Sequence, residues 1–188
     1  MTGGDRSADA DQQRRLVGTY RVLSVESTAE DGEVDRPFGD RPDGYIAYTP
    51  EGRFLVVLAR RDRPLFADGD ILGGTDQDRA AAFLSASAFC GRAEVRDGKL
   101  LHMLEASTFQ NWKGTVQVRE FEVAGDHLTL RTPAIKMNGK LRTNVLRLVR
   151  VAADEPGGPG EPGEPGERGG PGGPAAGRAG AGGGGRDG

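Results

Sequence analysis

Turn signals recur along this chain at intervals of roughly ten residues, and the runs between them carry β-type residues in alternation. Strands so short and so closely spaced pair most easily with their sequence neighbours, which points to antiparallel hairpins and excludes βαβ crossovers. Gly18 to Ser27 is the first run and ends at the turn around Asp31-Gly32. Tyr45 to Thr49 and Arg53 to Ala59 flank Pro50-Glu51-Gly52, a composition suited to a tight reversal. Gly91 to Arg96 and Lys99 to Ser107 flank Asp97-Gly98, a strong hairpin dipeptide. Thr115 to Val123 and His127 to Thr132 join through Ala124-Gly125-Asp126, and Arg142 to Val151 completes eight runs.

One helix interrupts the series. Thr75 can cap it, Asp78 follows three residues on, and Gly91 is placed to end it. Ala82, Phe83, Ala86 and Phe89 recur at helical spacing, so one side is expected to pack on the sheet. Eight antiparallel strands in up-and-down order remove their edges by closing, and a barrel of eight is either just filled or holds one small ligand. The fold class is therefore all-β: an eight-stranded antiparallel up-and-down barrel with one helix. Phe54-Leu55-Val56-Val57-Leu58 is apolar on both faces, so a second layer or a homo-oligomer contact is expected to cover part of the outside.

Composition sets the domain limits. Residues 155–188 hold 16 of the 31 glycines and 6 of the 11 prolines, with no aromatic residue, so they cannot offset the entropy of ordering. The division expected is a flexible segment over 1–15, a barrel over 16–152 and a disordered Gly/Pro-rich tail over 153–188. A net charge of −3 argues against a nucleic-acid scaffold. One cysteine, Cys90, and two histidines make a poor source of metal ligands, so neither metal nor cofactor is expected. No run is long and apolar enough for a membrane span or a signal sequence, so a cytoplasmic protein is expected. Only four of the 25 basic residues are lysine, a bias that suggests a GC-rich bacterial source.

Several short motifs lie along the folded part: Leu16-Val17-Gly18-Thr19-Tyr20, Pro37-Phe38-Gly39, Gly44-Tyr45 with Tyr48-Thr49-Pro50, Arg63-Pro64, and His102 to Trp112 followed by Gly114, Gln117 and Arg119. Leu128-Thr129-Leu130-Arg131-Thr132-Pro133 completes the set. Together they resemble the bacterial lipocalin-like domain proteins, small calycin-type barrels, from Leu16 to about Val151. The resemblance is specific for fold and not for function; a pocket for an apolar small molecule is favoured by the strand count and by the aromatic set Tyr48, Phe54, Trp112 and Phe121. The resemblance implies an arginine of the last strand packed across a ring of the first, here Arg150 and Tyr20, where such barrels usually carry tryptophan. Some similar barrels serve as natural-product cyclases, including cycloaddition catalysts.

The polar residues that could carry chemistry are few. His102 is in phase with Leu100, Leu104 and Ala106, and its near-neutral pKa suits proton transfer or hydrogen bonding to a carbonyl; a buried core histidine fits the same pattern. Glu105 falls on the opposite face. Arg119 is either a surface ion-pair residue beside Glu120 and Glu122 or a fixed guanidinium inside the barrel, able to bind a carboxylate, enolate or polarised carbonyl. Tyr45 and Tyr48 lie on opposite faces, so at most one phenol enters the barrel. The candidate catalytic residues are His102, Arg119 and Tyr48. Candidate ligand-binding residues are Tyr45, Phe54, Val56, Leu104, Trp112, Gln117 and Phe121. The connection from Pro64 to Thr75 is a lid or a plug. Three readings remain, in this order: a cofactor-free cyclase or isomerase acting on a polyketide-like molecule, then a carrier or sensor of such a molecule, and last an interaction module with a filled barrel.

Overall fold

Leu16 is fully buried because a helix runs into the barrel, and that helix occupies the segment expected to be flexible. The computed structural model describes residues 6–67 and 69–152. The chain forms α1 (Arg6–Leu16), β1 (Gly18–Ala29), β2 (Val34–Asp35), β3 (Asp43–Tyr48), β4 (Arg53–Ala59) and α2 (Asp76–Leu84). It continues with β5 (Ala86–Arg96), β6 (Lys99–Ser107), a 3-10 turn (Gln110–Trp112), β7 (Val116–Ala124), β8 (His127–Arg131), β9 (Ile135–Met137) and β10 (Lys140–Arg150). The expectation of a disordered tail falls on residues outside those described.

The eight expected strands are present as neighbours in chain order, and β1 pairs with β10 to close the barrel. The short β2 and β9 lie outside the closed ring, against β1 and β10. β9 and β10 form a hairpin at Asn138-Gly139, both at positive φ, as the Asn-Gly dipeptide favours. The Asp97-Gly98 turn is built the same way. Strand alternation sends Tyr20, Val22, Ile46, Tyr48, Phe54, Val56, Leu128, Leu130, Leu146 and Leu148 into one core. Tyr45, Leu55 and Val57 stand on the outer face, 40–52% exposed, uncovered by any other part of the described chain.

α1 closes one end of the barrel. Gln13 accepts a hydrogen bond from the Val95 backbone at 2.7 Å, and Asp9 accepts from Asp97 and Gly98 at 2.8 and 3.0 Å, tying the helix to the β5–β6 hairpin. Burying Leu16 completely contributes about 1.5–3 kcal/mol. Arg150 completes the plug: its guanidinium lies 4.7 Å from the Tyr20 ring centre and donates to the carbonyls of Arg15 and Val17. Those carbonyls belong to the helix end, where a cation also meets the negative pole of the dipole. The contact implied by the resemblance between Tyr20 and Arg150 is thus made.

α2 is shorter than its spacing suggested. Thr75 and Asp78 form the capping box, but the helix ends at Leu84, and Ala86 to Cys90 belong to β5. Gly91 does not end a helix. It sits beside a β-bulge at Cys90/Gly91, where a Cβ would lie 2.0 Å from the Met103 carbonyl oxygen, so only glycine lets β5 and β6 approach. No α2 residue is buried against the sheet. In the preceding connection Leu65, Ile71 and Leu72 are 80–96% exposed, so these three side chains do not plug the barrel.

Candidate ligand-binding site

The barrel is filled at the α1 end and hollow at the other. A cavity of about 970 Å³ opens there, ample for one small molecule. Its walls are mainly apolar: Val25, Leu58 and Leu146 from the barrel, Phe38 and Pro133 from loops, and Phe83, Phe109 and Trp112 around the mouth. Trp112 is held edge-on between Phe89 and Phe109, at 5.5 and 5.6 Å between ring centres. A separate hollow of about 320 Å³ lies by Thr28, Ala29 and Leu141, away from the polar groups of the interior.

A linked set of polar side chains runs from the packed core to this cavity. Strand register sets Gln117 opposite His102 and Arg119 opposite Leu100, so Gln117, Arg119 and His102 share the inner face. Arg119 donates from Nε to His102 Nδ1 at 3.2 Å and from Nη2 to Gln117 Oε1 at 2.7 Å. His102 Nε2 lies 3.0 Å from the Tyr48 hydroxyl, and its ring stacks on Phe54 with centres 4.1 Å apart. A guanidinium can only donate, so Nδ1 must carry the lone pair. His102 is therefore the neutral tautomer protonated on Nε2, which donates to Tyr48.

Electrostatics agree with that assignment. Burial, reinforced by the positive charge of Arg119, pushes the His102 pKa well below its ordinary value. Burial likewise raises the Tyr48 phenol and lowers Arg119. Arg119 is 6% exposed, and no carboxylate pairs with it among the described residues. Glu120 faces away and pairs with Lys99 at 2.8 Å, and Glu105 pairs with Arg53 at 2.6 Å on the outer surface. Arg119 is thus a buried cation held by two neutral neighbours, with unused N–H groups at a cavity wall.

The candidate residues divide accordingly. Arg119, Gln117 and Trp112 line the cavity. Tyr48 and His102 are buried behind Arg119 and do not line the cavity, because their strands carry them to the packed level of the barrel; His102 bonds Arg119, and Tyr48 bonds His102. Phe54, Val56 and Leu104 belong to the packed core, and Phe121 lies against it, so none forms the cavity wall. Tyr45 points outward, since alternation on β3 gives the inner face to Ile46 and Tyr48. Sequence reasoning missed Thr132 and Asn144, both buried and both on the cavity wall. Their signal was available: Arg142, Asn144, Leu146 and Leu148 share one strand phase, polar toward one end. Among the described residues no cluster of His, Cys, Asp and Glu could hold a metal ion, and no helix is long and apolar enough to cross a membrane.

The comparisons agree with the fold. The lipocalin-like domain profile matches residues 17–151. A relative from Aspergillus oryzae, the 4'-hydroxy-3'-methoxypropiophenone carrier protein ppsC, is 33% identical over 83 residues, covering 40% of this chain and 75% of the relative. With a closed eight-stranded barrel and a profile match over nearly the whole of it, the chain belongs to the lipocalin-like domain family.

Proposed function

We propose that this barrel binds a largely apolar small molecule through a carbonyl, phenolate or carboxylate oxygen that accepts hydrogen bonds from Arg119. The observation that carries this reading is a buried guanidinium, at the wall of an apolar cavity, that no carboxylate of the described residues pairs with. Burying an ion costs several kcal/mol unless a partner compensates, and no carboxylate of the described chain does so. A ligand oxygen supplies the missing partner, and the aromatic mouth removes the rest of the ligand from water. The A. oryzae relative is named for carrying an aryl ketone, a molecule of this chemistry.

The chain has a single tryptophan, Trp112, and it lines the cavity, so binding is read by intrinsic fluorescence. Titration with 4'-hydroxy-3'-methoxypropiophenone is expected to change Trp112 emission saturably. Arg119→Gln is expected to weaken binding about ten- to a hundred-fold, as for loss of a charge-assisted hydrogen bond. An unchanged affinity in that variant would refute the role of Arg119.

The same geometry favours a second reading, a cofactor-free cyclase or isomerase acting on a polyketide-like ketone. A guanidinium held rigid by His102 and Gln117 is preorganised to stabilise an enolate or a polarised carbonyl. Carrier and enzyme part on the recovered ligand: a polyene ketone returned unchanged, cyclising no faster than in buffer, leaves the carrier.

A further inference from the structure

Two polar residues on the cavity wall take no part in the Arg119 cluster. Asn144 on β10 and Thr132, just past β8, are 7% and 8% exposed. The two backbones are bonded, Thr132 N–H donating to the Asn144 carbonyl at 2.9 Å. Thr132 lies one step beyond the Glu120–Arg131 pair that joins β7 to β8, which sets it beside Arg119. With neighbouring strands about 4.8 Å apart, Asn144 is two strands, roughly 10 Å, from Arg119 along the same wall.

The hydrogen bonds of this pair leave two groups over. Thr132 Oγ1 accepts from the Asn144 backbone N–H at 2.9 Å and from Nδ2 at 3.4 Å, so both of its lone pairs are engaged and its own hydrogen is free to donate. Nδ2 also faces the Met137 sulfur at 3.7 Å, a weak acceptor. Asn144 Oδ1 then remains buried without a partner. A buried acceptor left unpaired is destabilising, and this one belongs to a residue of the cavity wall, where a small turn of the amide toward a ligand would pair it.

We propose that Thr132 and Asn144 form the second end of the binding site and take a hydroxyl of the ligand whose other oxygen is held by Arg119. A hydroxyl fits because it donates to Asn144 Oδ1 while accepting from the Thr132 hydroxyl. A carbonyl or ether satisfies only Thr132, and a methyl group neither. The ligand class is an elongated, largely apolar molecule with a carbonyl or acidic oxygen at one end and a hydroxyl at the other. This inference rests on the cavity being a binding site for such molecules.

The test uses two probes that differ by one group, 4-hydroxychalcone and chalcone, measured by titration calorimetry on the full chain. The wild type is expected to bind the hydroxylated probe about ten-fold more tightly, the value of one well-placed hydrogen bond. Asn144→Leu and Thr132→Val are each expected to abolish that preference, with circular dichroism confirming the fold of both. Arg119→Gln is expected to weaken both probes alike and to keep their ratio. Equal wild-type affinities, or a preference that survives in both folded variants, would overturn the second end while leaving the Arg119 reading intact. Binding of neither probe by the wild type would overturn both.

Discussion

Arg119 Nε donates to His102 Nδ1 at 3.2 Å, inside a barrel whose burial of the ring, reinforced by the guanidinium charge, keeps the imidazole neutral. The consequence is a pH dependence of stability. The folded-state pKa of His102 is depressed by burial and by Arg119, whereas the unfolded value is about 6.5. Below about pH 6.5 the unfolded chain therefore binds a proton that the folded chain refuses. Stability should be full above that pH and should fall as pH drops, by up to about 1.4 kcal/mol per pH unit. Tyr48 and Arg119, the groups facing the ring, do not titrate in this window. His102→Gln, which can still accept from Arg119 and donate to Tyr48, should flatten the slope in urea unfolding between pH 5 and 6.5. The same slope in the variant would exclude His102 as its source.

Tyr20 and Arg150 together seal the α1 end. The Arg150 guanidinium covers the Tyr20 ring, donates to its hydroxyl, and crosses Gly18 so closely that a Cβ there would lie 2.0 Å from Nη1. Tyr20→Ala should cost about 3–4 kcal/mol, as expected for a fully buried aromatic ring. Arg150→Ala should cost less in that background than alone, with a coupling of about 0.5–2 kcal/mol. Additive losses in the double-mutant cycle would contradict the contact.

The strand order was legible because each hairpin carries its own local chemistry: Asp97-Gly98 supplies the positive φ values that its turn requires. The face assignment of Arg119 was not legible. It depends on which residue of β6 opposes it, and a slip of one residue would have put Glu120 inside instead. The end of α2 was misjudged for a related reason. In Ala86-Ser87-Ala88-Phe89-Cys90 the side chains are mostly small and fit either period, and pairing with β4 decided for the strand. Which end of the barrel is hollow was equally hidden, because it follows from α1 filling the other end.

Gly91 separates the two descriptions of that segment experimentally. At a helix end in ordinary geometry, alanine would be tolerated or mildly stabilising. Beside the bulge, the new methyl group meets the Met103 backbone oxygen, which is fixed in the β5–β6 ladder. Gly91→Ala should therefore destabilise by about 3 kcal/mol or more, seen as a lowered denaturant midpoint. A neutral result would mean that β5 and β6 do not approach as described.

Arg119 should be a liability to the empty protein. Its charge is buried beside two neutral partners, so the ligand-free barrel carries a desolvation cost that no carboxylate of the described chain offsets. Met is of similar reach and apolar. Arg119→Met gives up the bonds to His102 and Gln117, but Gln117 is only half-buried and can turn to water in the cavity. Removing the buried ion should outweigh that loss and the cost of about 1–3 kcal/mol for leaving His102 Nδ1 a buried acceptor without a donor, so the empty variant should be at least as stable as the wild type. The same variant should lose the rise in melting temperature that a saturating ketone gives the wild type, since stabilisation by a ligand follows its affinity for the folded state. Thermal unfolding with and without 4'-hydroxy-3'-methoxypropiophenone measures both effects. A variant less stable than the wild type when empty would show that Arg119 holds the barrel together and is not kept at a cost for binding.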